Sequence, residues 1–155
     1  MAALTILHTA QQVARQQRDQ VLVQLQEAQR QCAAATGQLE QLDSYAVETQ
    51  NRWGLAAGQH TTPHTLQHFG QFMQRLQQAI ILQQQVLQRH EHNLRSHQQQ
   101  LLQVEKRIAA LSLLLEKRQL AVLRQRSRQE QKQMDELAAL QHRRHRTTLD
   151  SMGTS

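Results

Sequence analysis

Heptad spacing dominates this chain. From Leu4 the positions Leu4, Gln11, Arg18, Leu25, Cys32, Leu39, Ala46 and Trp53 step by seven, and an interleaved set three residues later runs from Leu7 to Thr49. A short break holding the only proline, Pro63, interrupts the pattern. It restarts at Leu66 and continues to Val122, with a second set from Phe69 to Arg118 between. A 3-4 alternation held this long keeps one narrow apolar seam on a helix that winds around a partner. A helix pair of that kind has almost no interior. Its function must be sought on its surfaces and at its ends.

Composition agrees with a helical rather than a sheet or turn-rich fold. Aromatic residues make up 3% of the 155 residues, and there are five glycines and one proline. A hydrophobic content of 39% is low for a compact globule but suits helices that each bury a single stripe. The length allows one domain. The lone cysteine, Cys32, occupies a seam position, which predicts a buried small apolar residue in a reducing compartment. The N-terminal stretch MAALTILHTAQQVARQQ lacks a basic leader, and no segment has the apolar length to span a bilayer, so a cytoplasmic location is expected.

Charge is placed unevenly. Residues 1–103 carry seven basic and six acidic side chains, whereas residues 104–146 carry eleven basic and five acidic ones. Most of the net +6 therefore sits on the C-terminal third, a basic arm on a nearly neutral body. Such an arm favours an acidic partner surface through long-range attraction that salt weakens.

The fold expected is all-α: two long helices forming an antiparallel coiled-coil hairpin, the second longer and ending in a C-terminal overhang. The hairpin spans 1–141, with a helix over 3–53, a loop over 54–62 and a helix over 63–141; residues 142–155 form a basic tail expected to be disordered. Gly54, Gly58 and the stretch Gln59-His60-Thr61-Thr62-Pro63 supply the break. Thr62 suits the N-cap, and Pro63 suits the first helical position, where no N–H donor is needed. Folding back at such a loop brings Leu25 near Leu94 and Leu4 near Leu115. The two helices differ in length, ~75 Å against ~115 Å at 1.5 Å per residue, so residues beyond Leu115 lack an intramolecular partner. That overhang still displays Leu120, Val122, Leu123, Met134, Leu137 and Leu140. Apolar residues on an unpaired helix signal an absent partner.

Three further features carry weight. From Glu116 to Lys132 the cations Arg118, Arg124, Arg126, Arg128 and Lys132 alternate with apolar residues. A solvated basic face is the plain alternative, but the interleaved apolar side chains favour docking to a protein. Nucleic acid is disfavoured, because the charge is less clustered than in a basic-region helix and no dimerising zipper follows. Near the loop, Gln38, Leu42 and Tyr45 recur at helical spacing on the first helix, and Phe72, Leu76 and Ala79 on the second. Core filling accounts for Leu42, Leu76 and Phe69, whereas Tyr45 and Phe72 fall outside the strict seam and suit a binding patch equally well. Nine histidines invite a metal, yet zinc needs three or four converging ligands and no such set is present. His64 and His68, one turn apart with His60 nearby, could hold nickel or zinc weakly, and His142 and His145 lie three apart. The polar seam residues Gln83, His90 and His97 set register or weaken pairing. No nucleophile with its base, no phosphate loop and no paired carboxylates can be assembled, so the expectation is no enzyme, no cofactor, no metal and no small-molecule substrate.

Three segments, QRQCAAATGQLEQLDSYAVE at 29–48, FGQFMQRLQQAI at 69–80 and RQEQKQMDELA at 128–138, resemble the FliJ family of the bacterial flagellar type III export apparatus. The family pattern shows an L-x-x-L-x-x-Y step before the tip, an F-x-x-x-L-x-x-A-I step after it, and a terminal QK-x-[ML]-DE-[LF]-A segment. One departure is Thr49, where the family often carries an aromatic one turn after Tyr45. The resemblance implies a central stalk, like the gamma subunit of rotary ATPases. Such a stalk inserts the joined helix ends into the ring of the export ATPase FliI, promotes ring assembly and hydrolysis, contacts the cytoplasmic domain of the export gate FlhA, and escorts export chaperones. It implies ring binding by Arg15, Arg18, Leu120, Leu123, Arg124, Arg126, Arg128 and Lys132. Gate binding falls to Gln38, Leu42, Tyr45, Phe72, Leu76 and Ala79. Location at the flagellar base, peripheral to the inner membrane, follows from the same resemblance. The competing readings are the equivalent stalk of a virulence secretion system, or a generic coiled-coil adaptor or basic nucleic-acid-binding helix.

Overall fold

The structure, a computed structural model, describes residues 2–56 and 62–153. Two α-helices pack against each other, α1 over Ala2–Ala56 and α2 over Pro63–Met152, and no strand occurs among the described residues. Every heptad position of α1 from Leu4 to Trp53 is buried or half-buried, and so is every heptad position of α2 from Phe69 to Leu115. The flanking positions are largely exposed. Seam periodicity and burial therefore coincide between these bounds, as coiled-coil packing requires, while Leu66 and Arg118, expected in the seam, are exposed at either end of it.

The contacts divide the chain into two compact units, Met1–Val13 with Arg107–Ser155, and Ala14–Lys106. In the second unit the helices run antiparallel: Gln83 bonds to the Ala35 carbonyl, Tyr45 meets Phe72, and Trp53 meets Phe69. Its core is formed by Ala14, Ala28, Ala35, Leu76 and Ile80, the alanines being only 2–3% exposed. The fully covered seam residues are thus small on α1 and large on α2. Gln83 shows what a polar seam residue does here. Its Nε2 donates to the Ala35 carbonyl at 3.1 Å and to Gln38 Oε1 at 3.0 Å, tying α2 to α1 at one register. His97 instead bonds within its own helix, to Gln100.

In the other unit Gln11 Nε2 donates to Ser112 Oγ at 2.7 Å, and Leu115 is buried. Beyond Leu115, every α2 side chain except the half-buried Val122 is exposed through Met152. The unpaired stretch expected from the unequal helix lengths is present.

Local chemistry accounts for the helix ends. Thr62 Oγ1 accepts the backbone N–H of Thr65 at 3.2 Å, the capping bond expected of it, and the Leu66 N–H reaches the Thr62 carbonyl. Thr62→Ala should therefore cost about 1 kcal/mol, read as a lower midpoint in urea with unchanged slope. The boundaries differ from expectation at two places. α1 passes through Gly54 and ends at Ala56 instead of near Trp53, because one glycine in a packed helix costs only about 1 kcal/mol. The rest of the expected break, including Gly58, His60 and Thr61, lies outside the described residues. α2 continues past Gln141 to Met152, where a disordered tail was expected. No glycine or proline intervenes before Gly153, and the Thr147 and Thr148 hydroxyls bond back to the Arg143 and Arg144 carbonyls, which keeps these polar residues compatible with a helix.

Candidate protein-docking surfaces

Two surfaces, one in each unit, gather the residues singled out by the sequence. The first lies near the start of α2. Tyr45 and Phe72, 51% and 40% exposed, meet edge to face with ring centroids 6.0 Å apart. About two turns further along α1 and one turn back along α2, Trp53 stacks on Phe69 at 4.4 Å. Together with Thr49, Arg52 and His68 these rings line an open groove, and a second shallow groove is lined by Gln38, Gln41, Leu42, Tyr45 and Gln83. Aromatic side chains held by one another present broad, rigid contact area, which is the kind of feature that concentrates binding energy.

Of the six gate-facing candidates, Tyr45, Phe72 and Gln38 are exposed, while Leu42 and Ala79 are half-buried. Leu76 is a correction: at 7% exposure it is part of the core and offers a partner almost nothing. Its heptad position already places it against α1. The Gln38 amide oxygen is engaged by Gln83, so this side chain presents mainly its remaining amide hydrogens. At Thr49, the hydroxyl bonds to the Tyr45 carbonyl at 2.7 Å, leaving a small side chain where an aromatic would fill the groove. Sequence reasoning missed Arg52, Trp53 and His68 as groove residues. The clustering of every aromatic between residues 45 and 72 was the available signal, but pairing across two helices is invisible in a linear count.

The second surface is the unpaired part of α2. Leu120 and Leu123 are 47% and 59% exposed, Met134, Leu137 and Leu140 are similarly bare, and Arg124, Arg126, Arg128 and Lys132 are exposed and make no ion pair among the described residues. Helical spacing brings Leu120, Leu123, Met134 and Leu137 to one side, with Arg124, Arg128 and Lys132, four residues apart, along its flank. The remaining two ring-binding candidates belong to the other unit. Arg15 is exposed, whereas Arg18 is half-buried in the seam and bonds to Asp19 beside it at 3.2 Å.

Among the described residues no group of three or more His, Cys, Asp or Glu is placed to hold a metal, and no helix is long and apolar enough to cross a membrane.

Comparison with protein families matches residues 6–147 to the flagellar FliJ protein family. The chain belongs to that family. Searches of the curated proteins and of the solved structures find no match. Membership of the FliJ family makes this a component associated with the flagellar protein export apparatus, with a role in export rather than a known enzymatic one. The match covers nearly the whole chain, unpaired part of α2 included, and supports the flagellar reading.

Proposed function

We propose that this chain is the central stalk of the flagellar export ATPase ring: the unpaired end of α2 enters the FliI ring, and the aromatic groove surface faces the cytoplasmic domain of FlhA. The observation that carries the reading is the bare apolar and cationic surface of α2 beyond Leu115, on a chain of the FliJ family. An exposed run of leucines flanked by unpaired arginines fits an acidic, partly apolar channel and fits solvent poorly. An asymmetric helix inside a sixfold ring touches only some subunits at a time. It can therefore bias their conformations, promoting ring assembly and hydrolysis, because a ligand shifts a conformational equilibrium by its differential affinity for the states. Export chaperones released from their cargo are the third partner class. Residence at the inner face of the membrane follows from these partners.

Addition of the purified chain to the export ATPase is expected to raise the rate of ATP hydrolysis, and an unchanged rate would reject the ring assignment. The gate assignment makes a separate prediction. Tyr45→Ala with Phe72→Ala should weaken binding to the soluble gate domain by about tenfold or more, since paired aromatic anchors each contribute on the order of 1–2 kcal/mol. Helical content should be retained, because both rings are well exposed. Titration calorimetry against the gate domain checks it.

A further inference from the structure

The first turns of α2 hold a pair of histidines, of which His68 lines the aromatic groove and His64 does not. His64 and His68 stand one helical turn apart, both exposed, with their Nε2 atoms 3.0 Å from each other and their rings nearly perpendicular at 85°. Two imidazole nitrogens bound to one ion at roughly 2.0–2.1 Å and held 3.0 Å apart subtend an angle of roughly 90–100° at that ion. This is the cis angle of square-planar or octahedral coordination, and it is narrower than a tetrahedral site requires. We propose that His64 and His68 form a two-histidine chelate for a divalent transition ion of that geometry, Cu2+ or Ni2+, with water completing the coordination sphere.

The surroundings sharpen the choice of ion. The pair sits at the N-terminal end of a helix capped by Thr62, where the helix dipole is positive, and Arg52 lines the same groove as His68. A hard cation held mainly by charge is disfavoured there, whereas ions that bond strongly to imidazole follow the order in which Cu2+ and Ni2+ stand high. In the metal-free chain the two Nε2 atoms share a hydrogen bond; chelation requires both neutral rings to carry their proton on Nδ1, leaving both Nε2 lone pairs for the ion. Ring exposure leaves this tautomer change unobstructed. Because the ion binds only when the turn from His64 to His68 is helical, loading stabilises the start of α2 by mass action and places a dication on the wall of the aromatic groove.

Calorimetric titration of the full chain with nickel chloride near neutral pH tests the proposal. The expected result is a single ion per chain, with a rise in melting temperature on loading. His64→Ala and His68→Ala should each reduce affinity tenfold or more and abolish the melting shift, and acid should release the ion by protonating imidazole. His142→Ala, which breaks the other closely spaced pair, should leave both readouts unchanged. Equal affinity in His64→Ala and the parent chain, or loss of binding in His142→Ala instead, would overturn it. Circular dichroism verifies that the variants keep their helicity, as the exposure of both rings predicts.

Discussion

Reversing three charges, Arg124→Glu with Arg126→Glu and Arg128→Glu, should abolish most of the stimulation of the export ATPase, a loss of about tenfold or more, while leaving the helices intact. Each reversal changes the charge by two, so the net charge of the chain falls from +6 to zero, and the change is concentrated on the unpaired stretch of α2. None of the three side chains is buried or ion-paired among the described residues, so no packing is lost. Spacing along the helix also argues for retained helicity. Arg124 and Arg128 repel at i, i+4 in the parent chain and two glutamates would repel similarly, while the Arg128→Glu carboxylate gains an attractive partner in Lys132. Rising salt should reduce stimulation by the parent chain more than by the variant, because exposed charges are screened over about 10 Å at 0.1 M ionic strength. Coupled-enzyme measurement of ATP hydrolysis, alongside circular dichroism, reads both halves of this expectation. Undiminished stimulation by the variant would place the ring contact elsewhere.

The second large effect concerns the seam. Ile80→Asp should destabilise the helix pair by roughly 3–5 kcal/mol, since it removes a buried branched side chain and leaves a carboxylate with no partner in an apolar seam. Ile80 is 5% exposed, and its neighbour Ile81 is 46% exposed. The adjacent change Ile81→Asp should therefore cost under about 1 kcal/mol, mainly through helix propensity. Folded proteins of this size are stable by only about 5–15 kcal/mol, so the first substitution removes a large share and the second does not. Urea unfolding followed by circular dichroism separates them. Similar midpoints for the two variants would mean that the seam is not where the heptads place it.

These paired expectations also show which properties the linear chain encodes. Period decides most of the seam: a 3-4 alternation admits one contact stripe per helix, and of the positions it named, those from Leu4 to Trp53 and from Phe69 to Leu115 are covered, whereas Leu66 and Arg118 are exposed. The cap at Thr62 was equally legible, since a threonine before a proline at a helix start has one obvious bond to make. The length mismatch, and hence the bare end of α2, follows from where the break lies. Helix ends were less legible. Gly54 lies within α1, and α2 runs on through a polar tail, because propensity is a shallow preference that neighbouring bonds override.

Heptad position already separated Leu76, in the seam, from Phe72, outside it, but only the packed structure set the Phe72 ring half-open against the edge of Tyr45. It alone paired Trp53 with Phe69, engaged Gln38 through Gln83, and set the His64 and His68 nitrogens 3.0 Å apart. The physical reason is the range of the interactions. Periodicity and capping act within a few residues of one helix and are written in order along it. Ring stacking, cross-helix hydrogen bonds and the angle between two side chains depend on how two helices are rotated and offset against each other, and heptad spacing leaves that relation open.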